Sequence, residues 1–463
     1  RIQAVMCTGS TAVAKLLQKT LSTRLSHEQR PIPLIAETGG QNAMIVDSSA
    51  LTEQAVLDIV SSAFDSAGQR CSALRLLCVQ EDNAKNLINM LKGAMQQLIV
   101  GNPIYLKTDI GPVIDLEAKQ NIDQHIEKMK SKGHAVFQLA RNANDESLQA
   151  GTFVCPTLIE LPDLKDLQKE VFGPVLHVIT YKYGELDKLI ANINAKGYGL
   201  TMGLHTRIDE TIQYVSQHAE VGNLYINRNI VGAVVGVQPF GGEGLSGTGP
   251  KAGGSLYLHK LMQAHPDLKS QAFGTLEKFN AVPEQSLHQE FKTWAATKFP
   301  QVKLQDHTHN PVGIYRLPTP TGETNHYAIV PRNQILCISA QDDDFIQQLN
   351  AVFALNTTPV VLAENSFVLK YLNSMPTKLK QSFKVIADIS KDEFDVVLHR
   401  GSQSSLQNLQ TQIANRDGAI IGIYHLQQDD ETIALHRLVF ERAISTNTAA
   451  AGGNASLMTL DDA

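Results

Sequence analysis

The sequence predicts an α/β fold with mainly parallel sheets, laid out as two successive α/β parts, and three observations carry that prediction. Short apolar runs alternate with stretches of helical periodicity from residue 4 to about Asn227. A stretch from Gly232 to Gly254 breaks the rhythm and is too rich in glycine for a helix or a plain strand. A second alternating series follows from Ile335 to Ile423. At 463 residues the chain exceeds what one hydrophobic core supports, so two or three domains are expected.

Ala4-Val5-Met6-Cys7 reads as a strand, Thr8-Gly9-Ser10-Thr11 as a turn with a helix cap, and Ala12 to Leu21 as a helix. The opening has the look of a buried strand with no start methionine, so the chain is expected to begin within a fold. Pro33 to Ala36 and Asn42 to Val46 read as further strands. From Leu51 to Ala67 one helical face gathers Leu51, Ala55, Val56, Ile59, Val60, Ala63 and Phe64, with Gly68 as its stop. Phe273 to Leu304 is mostly helical, and Pro318 to Gly322 is a turn. Strands are then expected near 335–338, 358–362, 385–387, 394–398 and 419–423, and a disordered tail from Asn447 to Ala463.

A formal charge of −6 without clustered cations argues against a nucleic-acid surface in this region. No run reaches the ~18–20 apolar residues of a membrane span. Five cysteines, without a CxxC pair or a disulfide framework, suggest a reducing, cytoplasmic compartment and no metal site.

Among the cysteines, Cys7, Cys78, Cys155 and Cys337 lie in or beside apolar strand-like runs, where a thiol acts as a small hydrophobe. Cys71 sits instead in the polar loop Gly68-Gln69-Arg70-Cys71-Ser72, and Arg70 favours its thiolate if the charge points inward. Glu37 follows the apolar run Leu34-Ile35-Ala36, at a strand end where open α/β sheets bind ligands. On local grounds an ordinary loop cysteine and a solvated strand-end glutamate remain the alternatives.

Taken together, these segments resemble the aldehyde dehydrogenase superfamily. Glu37-Thr38-Gly39-Gly40 and Gly68-Gln69-Arg70-Cys71 are similar to its glutamate and cysteine signatures, 71 − 37 = 34 positions apart. Cys7-Thr8-Gly9-Ser10 resembles its cofactor-phosphate turn, Glu170-Val171-Phe172-Gly173-Pro174 its nicotinamide-holding segment, and Gln238-Pro239-Phe240-Gly241-Gly242 its closing loop. The resemblance implies Cys71 as nucleophile and Glu37 as general base. It implies Gly9, Ser10, Glu170 and Phe172 as contacts of NAD.

Asn227-Arg228-Asn229 and Gly232 to Phe240 are further similar to the aldehyde-anchor loop of pyrroline-5-carboxylate dehydrogenases. There the amides of Gly232 and Ala233 and the Ser72 hydroxyl would bind the substrate's α-carboxylate, and the Phe240 ring its aliphatic stem. Segments around 318–325, 330–332 and 445–456 resemble the carboxy-terminal domain of long bifunctional proline-utilization proteins, which implies that Asn454-Ala455-Ser456 is an ordered closing element, in place of the disorder read from composition. That resemblance divides the chain into 1–38, a remnant of an NAD-binding domain; 39–240, the catalytic domain; 241–264, a closing loop and oligomerisation flap; and 265–463, a dehydrogenase-like α/β domain without its own active site.

It also implies an upstream proline dehydrogenase domain carrying FAD, a homo-oligomer, and a cytoplasmic parent able to associate peripherally with the inner membrane. The amino-terminal Rossmann half lies before Arg1 on this reading, so the isolated chain is expected to be nearly inactive. Glutamate semialdehyde is the implied substrate. A different aldehyde, or a non-catalytic scaffold and tunnel-lid role for the carboxy-terminal module, are the alternatives.

Overall fold

The computed structural model describes residues 2–140, 151–262, 273–277, 286–307 and 310–449. Two compact units divide them: one of Arg1–Thr38, Gly247–Pro318 and His326–Arg442, the other of Gly39–Ser246, Thr319–Asn325 and Ala443–Ala463. These units cut across the consecutive blocks expected from sequence, because two short late segments belong with Gly39–Ser246. The terminal segment Asn454 to Ser456, expected to close the fold, lies outside the described residues.

The first unit opens with β1 (Val5–Thr8), α1 (Thr11–Ser22) and β2 (Leu34–Glu37). The two strands pair in parallel, from Val5 with Leu34 to Thr8 with Glu37. Ser10 caps α1 by accepting the Val13 N–H at 3.3 Å, as its position before an apolar-periodic run predicts.

The second unit is built on a sheet of β3 (Ala43–Val46), β4 (Leu76–Gln80), β5 (Ala135–Gln138), β6 (Thr157–Glu160), β7 (Val175–Tyr181), β8 (Thr201–His205) and β9 (Asn223–Ile226). Its spatial order is β9-β8-β3-β4-β7-β6-β5, parallel throughout except for the β5–β6 pair. The helix α2 (Thr52–Phe64) buries Ala55, Val56, Ile59, Ala63 and Phe64 of the stripe read from the sequence, while Val60 is half-buried and Leu51, at the N-cap, is exposed. It packs into one core with Met44, Ile45, Leu77, Val178, Met202 and Leu204.

One further strand of this unit had no local signal. Ala443 to Thr446, within the strand Val439–Asn447, lie parallel to β9, with Asn223 opposite Ala443 and Ile226 opposite Thr446. Its inward residues are Val439, Glu441, Ala443 and Ser445, so alternate burial puts a carboxylate and a hydroxyl inside and hides the period-two pattern.

The remainder of the first unit holds a five-stranded, all-parallel sheet. Its strands are β10 (Gln334–Ser339), β11 (Thr358–Leu362), β12 (Lys384–Ile386), β13 (Val396–Arg400) and β14 (Gly422–Leu426), ordered β12-β11-β10-β13-β14. That is the doubly wound order, in which a ligand would meet the carboxyl ends of β10 and β13. The helix following β10, Asp342–Ala354, presents Asp342, Asp343 and Asp344 in its first turn, which repels a phosphate there. The fold is therefore α/β with mixed sheets, since the strands Thr275–Glu277 and Gly313–Arg316 pair antiparallel.

Two histidines of the second unit are buried without charge. Burial pulls His177 down to about 3 and His205 down to about 4, from 6.5. The unfolded chain therefore takes up protons first on acidification, and stability present above about pH 6.5 is lost as pH falls toward 4. Between pH 7 and pH 5 each histidine should cost about 2 kcal/mol. Urea midpoints should drop over that interval, and drop less in His205→Gln; equal drops in the two proteins would count against the assignment.

Candidate active site

The helix α2 ends at Phe64, three residues short of the sequence expectation, because the chain turns left-handed. Ser66, Ala67 and Gly68 have φ of 56°, 54° and 63° in succession. For the first two, non-glycine residues, this costs roughly 1–2 kcal/mol each. Gly68 is obligatory, since a side chain there would strike the Gly173 carbonyl. The reversal delivers Gln69 to Ser72 as an irregular loop rather than another helical turn.

Two buried side chains lock that loop. Arg75, fully buried, donates from Nη1 to the carbonyls of Gly68 (2.7 Å) and Gly173 (3.1 Å), and from Nη2 to that of Arg70 (3.1 Å). Asn42 donates from Nδ2 to the carbonyls of Cys71 (2.7 Å) and Ala73 (2.8 Å), while its Oδ1 accepts the Thr201 N–H at 3.1 Å. Cys71 itself is half-buried. Arg70, whose charge the sequence offered as an activator, is bonded through Nε to the Ser66 hydroxyl at 3.1 Å. The guanidinium electrostatically coupled to Cys71 is instead that of the fully buried Arg75. By contrast Cys78 and Cys337 are buried thiols pushed up by desolvation, fit only for packing; Cys155 is also buried and Cys7 half-buried.

Arg75 also reaches the segment 170–173. Its Nη2 lies 3.3 Å from Glu170 Oε1, and its guanidinium stands 5.2 Å from the centre of the Phe172 ring. Burial pushes the Glu170 carboxyl up, and Arg75 opposes this. A side chain at Gly39 would overlap the Glu170 carboxylate, so the first glycine of the Glu37-Thr38-Gly39-Gly40 segment makes room for that group. Phe172 is largely exposed.

The anchor loop hangs from the same helix. Ser62, buried on α2, accepts the Ile230 N–H at its hydroxyl (3.1 Å) and the Leu74 N–H at its carbonyl (2.8 Å), tying both loops to one residue. Gly232 and Gly236 have φ of 76° and 80°. Among the described residues no hydrogen bond uses the N–H of Gly232 or Ala233. Ser72 is buried, with its carbonyl 3.4 Å from the Thr201 hydroxyl. Phe240 is bracketed by Asn223, whose Nδ2 donates to the Pro239 carbonyl (2.9 Å) and whose Oδ1 accepts the Gly241 N–H (3.2 Å).

Glu37, Gly9 and Ser10 belong to the first unit, and Cys71, Ser72, Glu170, Phe172, Gly232, Ala233 and Phe240 to the second. Glu37 ends β2, half-buried, its carbonyl accepting the Gly9 N–H at 3.0 Å. Gly9 thus offers a phosphate close approach rather than a donor. A Cβ on Gly9 would meet only the Cys7 sulfur, at 3.9 Å, and the first turn of α1 has no acidic residue. This open helix start suits a phosphate, and within the other unit the Glu170 carboxylate and the exposed Phe172 ring suit a ribose and a flat ring. Sequence reasoning missed Asn42, Arg75 and Asn223, since polar residues inside apolar surroundings carry no local mark of their partners.

Asn42→Ala would strand the carbonyls of Cys71 and Ala73 and the N–H of Thr201 on β8. It should destabilise by about 2–4 kcal/mol in urea unfolding; a loss below about 0.5 kcal/mol would contradict the role given to Asn42.

Comparison with known proteins places the chain in a family. Residues 1–265 match the model of the Aldehyde dehydrogenase family. The chain is 50% identical over 476 residues to the bifunctional protein PutA of Escherichia coli (strain K12), covering 99% of this chain and 36% of that protein. It is 38% identical over 233 residues to the 1-pyrroline-5-carboxylate dehydrogenase of Bacillus cereus (strain B4264), covering 50% of this chain and 44% of that one. The solved structure of proline utilization A from Corynebacterium freiburgense shares the fold over 97% of this chain and 42% of its own, with 22% identity and a TM-score of 0.66. The chain thus spans about a third of the length of the PutA relative. No helix among the described residues is long and apolar enough to cross a membrane. The chain belongs to the aldehyde dehydrogenase family, and its whole-length likeness is to the carboxy-terminal region of PutA.

Proposed function

We propose that this chain carries the thiol-nucleophile part of an NAD-dependent oxidation of L-glutamate γ-semialdehyde to L-glutamate, within a longer bifunctional protein of proline breakdown. The observation that carries the reading is the Cys71 loop, held by buried Arg75 and Asn42 beside a glycine turn with two uncommitted amides. The names borne by the relatives, PutA and 1-pyrroline-5-carboxylate dehydrogenase, support the substrate.

In this mechanism the amides of Gly232 and Ala233 and the Ser72 hydroxyl grip the carboxylate of the substrate, and the Phe240 ring covers its stem. The Cys71 thiolate adds to the aldehyde carbon, forming a C–S bond and a thiohemiacetal oxyanion that accepts from the Cys71 N–H. NAD, when bound, supplies the acceptor for the hydride that leaves this carbon. Glu170 and Phe172 would hold its ribose and ring, and Ser10 and Gly9 would meet its phosphates. Loss of the hydride leaves a thioester on Cys71. Glu37 takes a proton from water, whose oxygen attacks the thioester and releases glutamate and the thiolate.

The longer parent would add a proline dehydrogenase domain with its own FAD. Met6, Val13 and Leu16 expose large apolar surfaces on β1 and α1, which we read as the side covered by the rest of the nucleotide domain. The isolated chain is accordingly proposed to show little activity, and the full-length protein is the one to test. Cys71→Ala should abolish NADH formation from glutamate semialdehyde. Glu37→Gln should still acylate, giving a burst of about one NADH per site followed by a rate at least roughly 100-fold slower. Steady turnover in either variant at the wild-type rate would overturn the proposal.

A further inference from the structure

The anchor turn is fixed by side chains from much later in the sequence. Within the turn, the N–H groups of Val237 and Gln238 donate to the Val234 carbonyl at 3.1 and 2.9 Å. Gln238, almost fully buried, adds a side-chain clamp: its Oε1 accepts the Val234 N–H at 3.1 Å. Its Nε2 points the other way, to Glu323 Oε2 (3.1 Å), Asn325 Oδ1 (3.4 Å) and Ser445 Oγ (3.1 Å). A carboxylate only accepts and an N–H only donates, so these partners fix which end of the amide faces which. Glu323 is held in turn by Arg228 and by Asn325 Nδ2 at 3.1 Å, and Arg228 Nη1 reaches Ser445 Oγ at 2.9 Å. All of these residues belong to the second unit.

With glycine at 232 and 236, the turn has little conformational preference of its own. Reversal or wandering of the Gln238 amide would free Val234 and let the neighbouring amides drift. We propose that Glu323 and Ser445 are positioning residues for aldehyde selection, orienting the Gln238 amide so that the Gly232–Ala233 backbone meets the substrate's carboxylate. The inference rests on the reading of that turn as the carboxylate anchor. It assigns to the last 150 or so residues a direct part in specificity, distinct from any role as scaffold or lid. An aldehyde without a carboxylate makes no use of the grip, and this separates a positioning role from a merely structural one.

The test uses full-length protein and two substrates, glutamate semialdehyde and propanal, with wild type, Ser445→Ala, Glu323→Gln, Gln238→Ala and the double variant Gln238→Ala/Ser445→Ala. Loss of one well-placed bond to a charged group is worth about 10-fold or more. KM for glutamate semialdehyde should therefore rise about 3- to 10-fold in Ser445→Ala and Glu323→Gln, and roughly 10- to 100-fold in Gln238→Ala, with kcat within about twofold. Propanal kinetics should stay within about twofold, and the double variant should be no worse than Gln238→Ala, because both act through one amide. Ser445→Ala removes a single neutral acceptor and keeps the test open should the others fold poorly. Equal losses on both aldehydes, additive losses in the double variant, or an unchanged KM for the semialdehyde would overturn the proposal. A wild type that prefers propanal would overturn the substrate reading, and the inference with it.

Discussion

The second unit depends on one buried cation. Arg75 has no solvent, and its guanidinium directs Nη1 and Nη2 to three backbone carbonyls and one carboxylate, drawn from residues 68 to 70 and 170 to 173, while Nε has no partner among the described residues. Removing a charge of this kind from water costs several kcal/mol unless it is paired with an opposite charge and hydrogen-bonded. The partners are therefore not decoration but the condition for the residue being there. Burial pulls its guanidinium down and Glu170 counters this, so the pair is electrostatically interdependent. The same group joins the loop bearing Cys71 to the segment bearing Glu170 and Phe172. A single side chain thereby couples the geometry of these two segments.

A neighbouring contact continues this network into the core. The Arg75 carbonyl faces Nδ1 of His177 at 3.1 Å, which must carry the proton because a carbonyl only accepts. His177 Nε2 is then the acceptor for His125 Nε2–H at 2.8 Å. Neutral histidines here serve as fixed dipoles, consistent with the downward displacement of both by burial. The two histidines beneath the Cys71 loop are thus joined to the Arg75 carbonyl through a chain of defined direction.

Much of the fold was legible in the sequence wherever a single face decides the element. The α2 stripe, the β3 and β4 runs and four of the five strands of the last sheet follow apolar periodicity alone; the fifth, β14, begins at Gly422 rather than near residue 419. The candidate residues were legible by resemblance, because short glycine-bearing motifs keep their identity through backbone constraints, as Gly39 and Gly68 show. What stayed hidden was long-range. The left-handed run at Ser66 and Ala67 has no propensity signal, since neither residue favours that conformation. The strand at 439–447 hid its alternation behind Glu441 and Ser445. Gln238, Glu323 and Ser445 lie far apart along the chain, and only folding brings them to hydrogen-bonding distance.

The strand at 443–446 also bears on how this protein is made. It seats beside Asn223 to Ile226, whose other neighbour is complete more than 200 residues earlier. During synthesis, at ~5–20 residues per second, that sheet edge stands open for ten seconds or more. A ribosome that stalls or a message that is cut short leaves the nucleophile's unit with an unpaired parallel edge and a buried Gln238 amide lacking one acceptor. Incomplete copies would thus advertise themselves by an adhesive, unfinished rim, while full-length copies seal it with their own late residues.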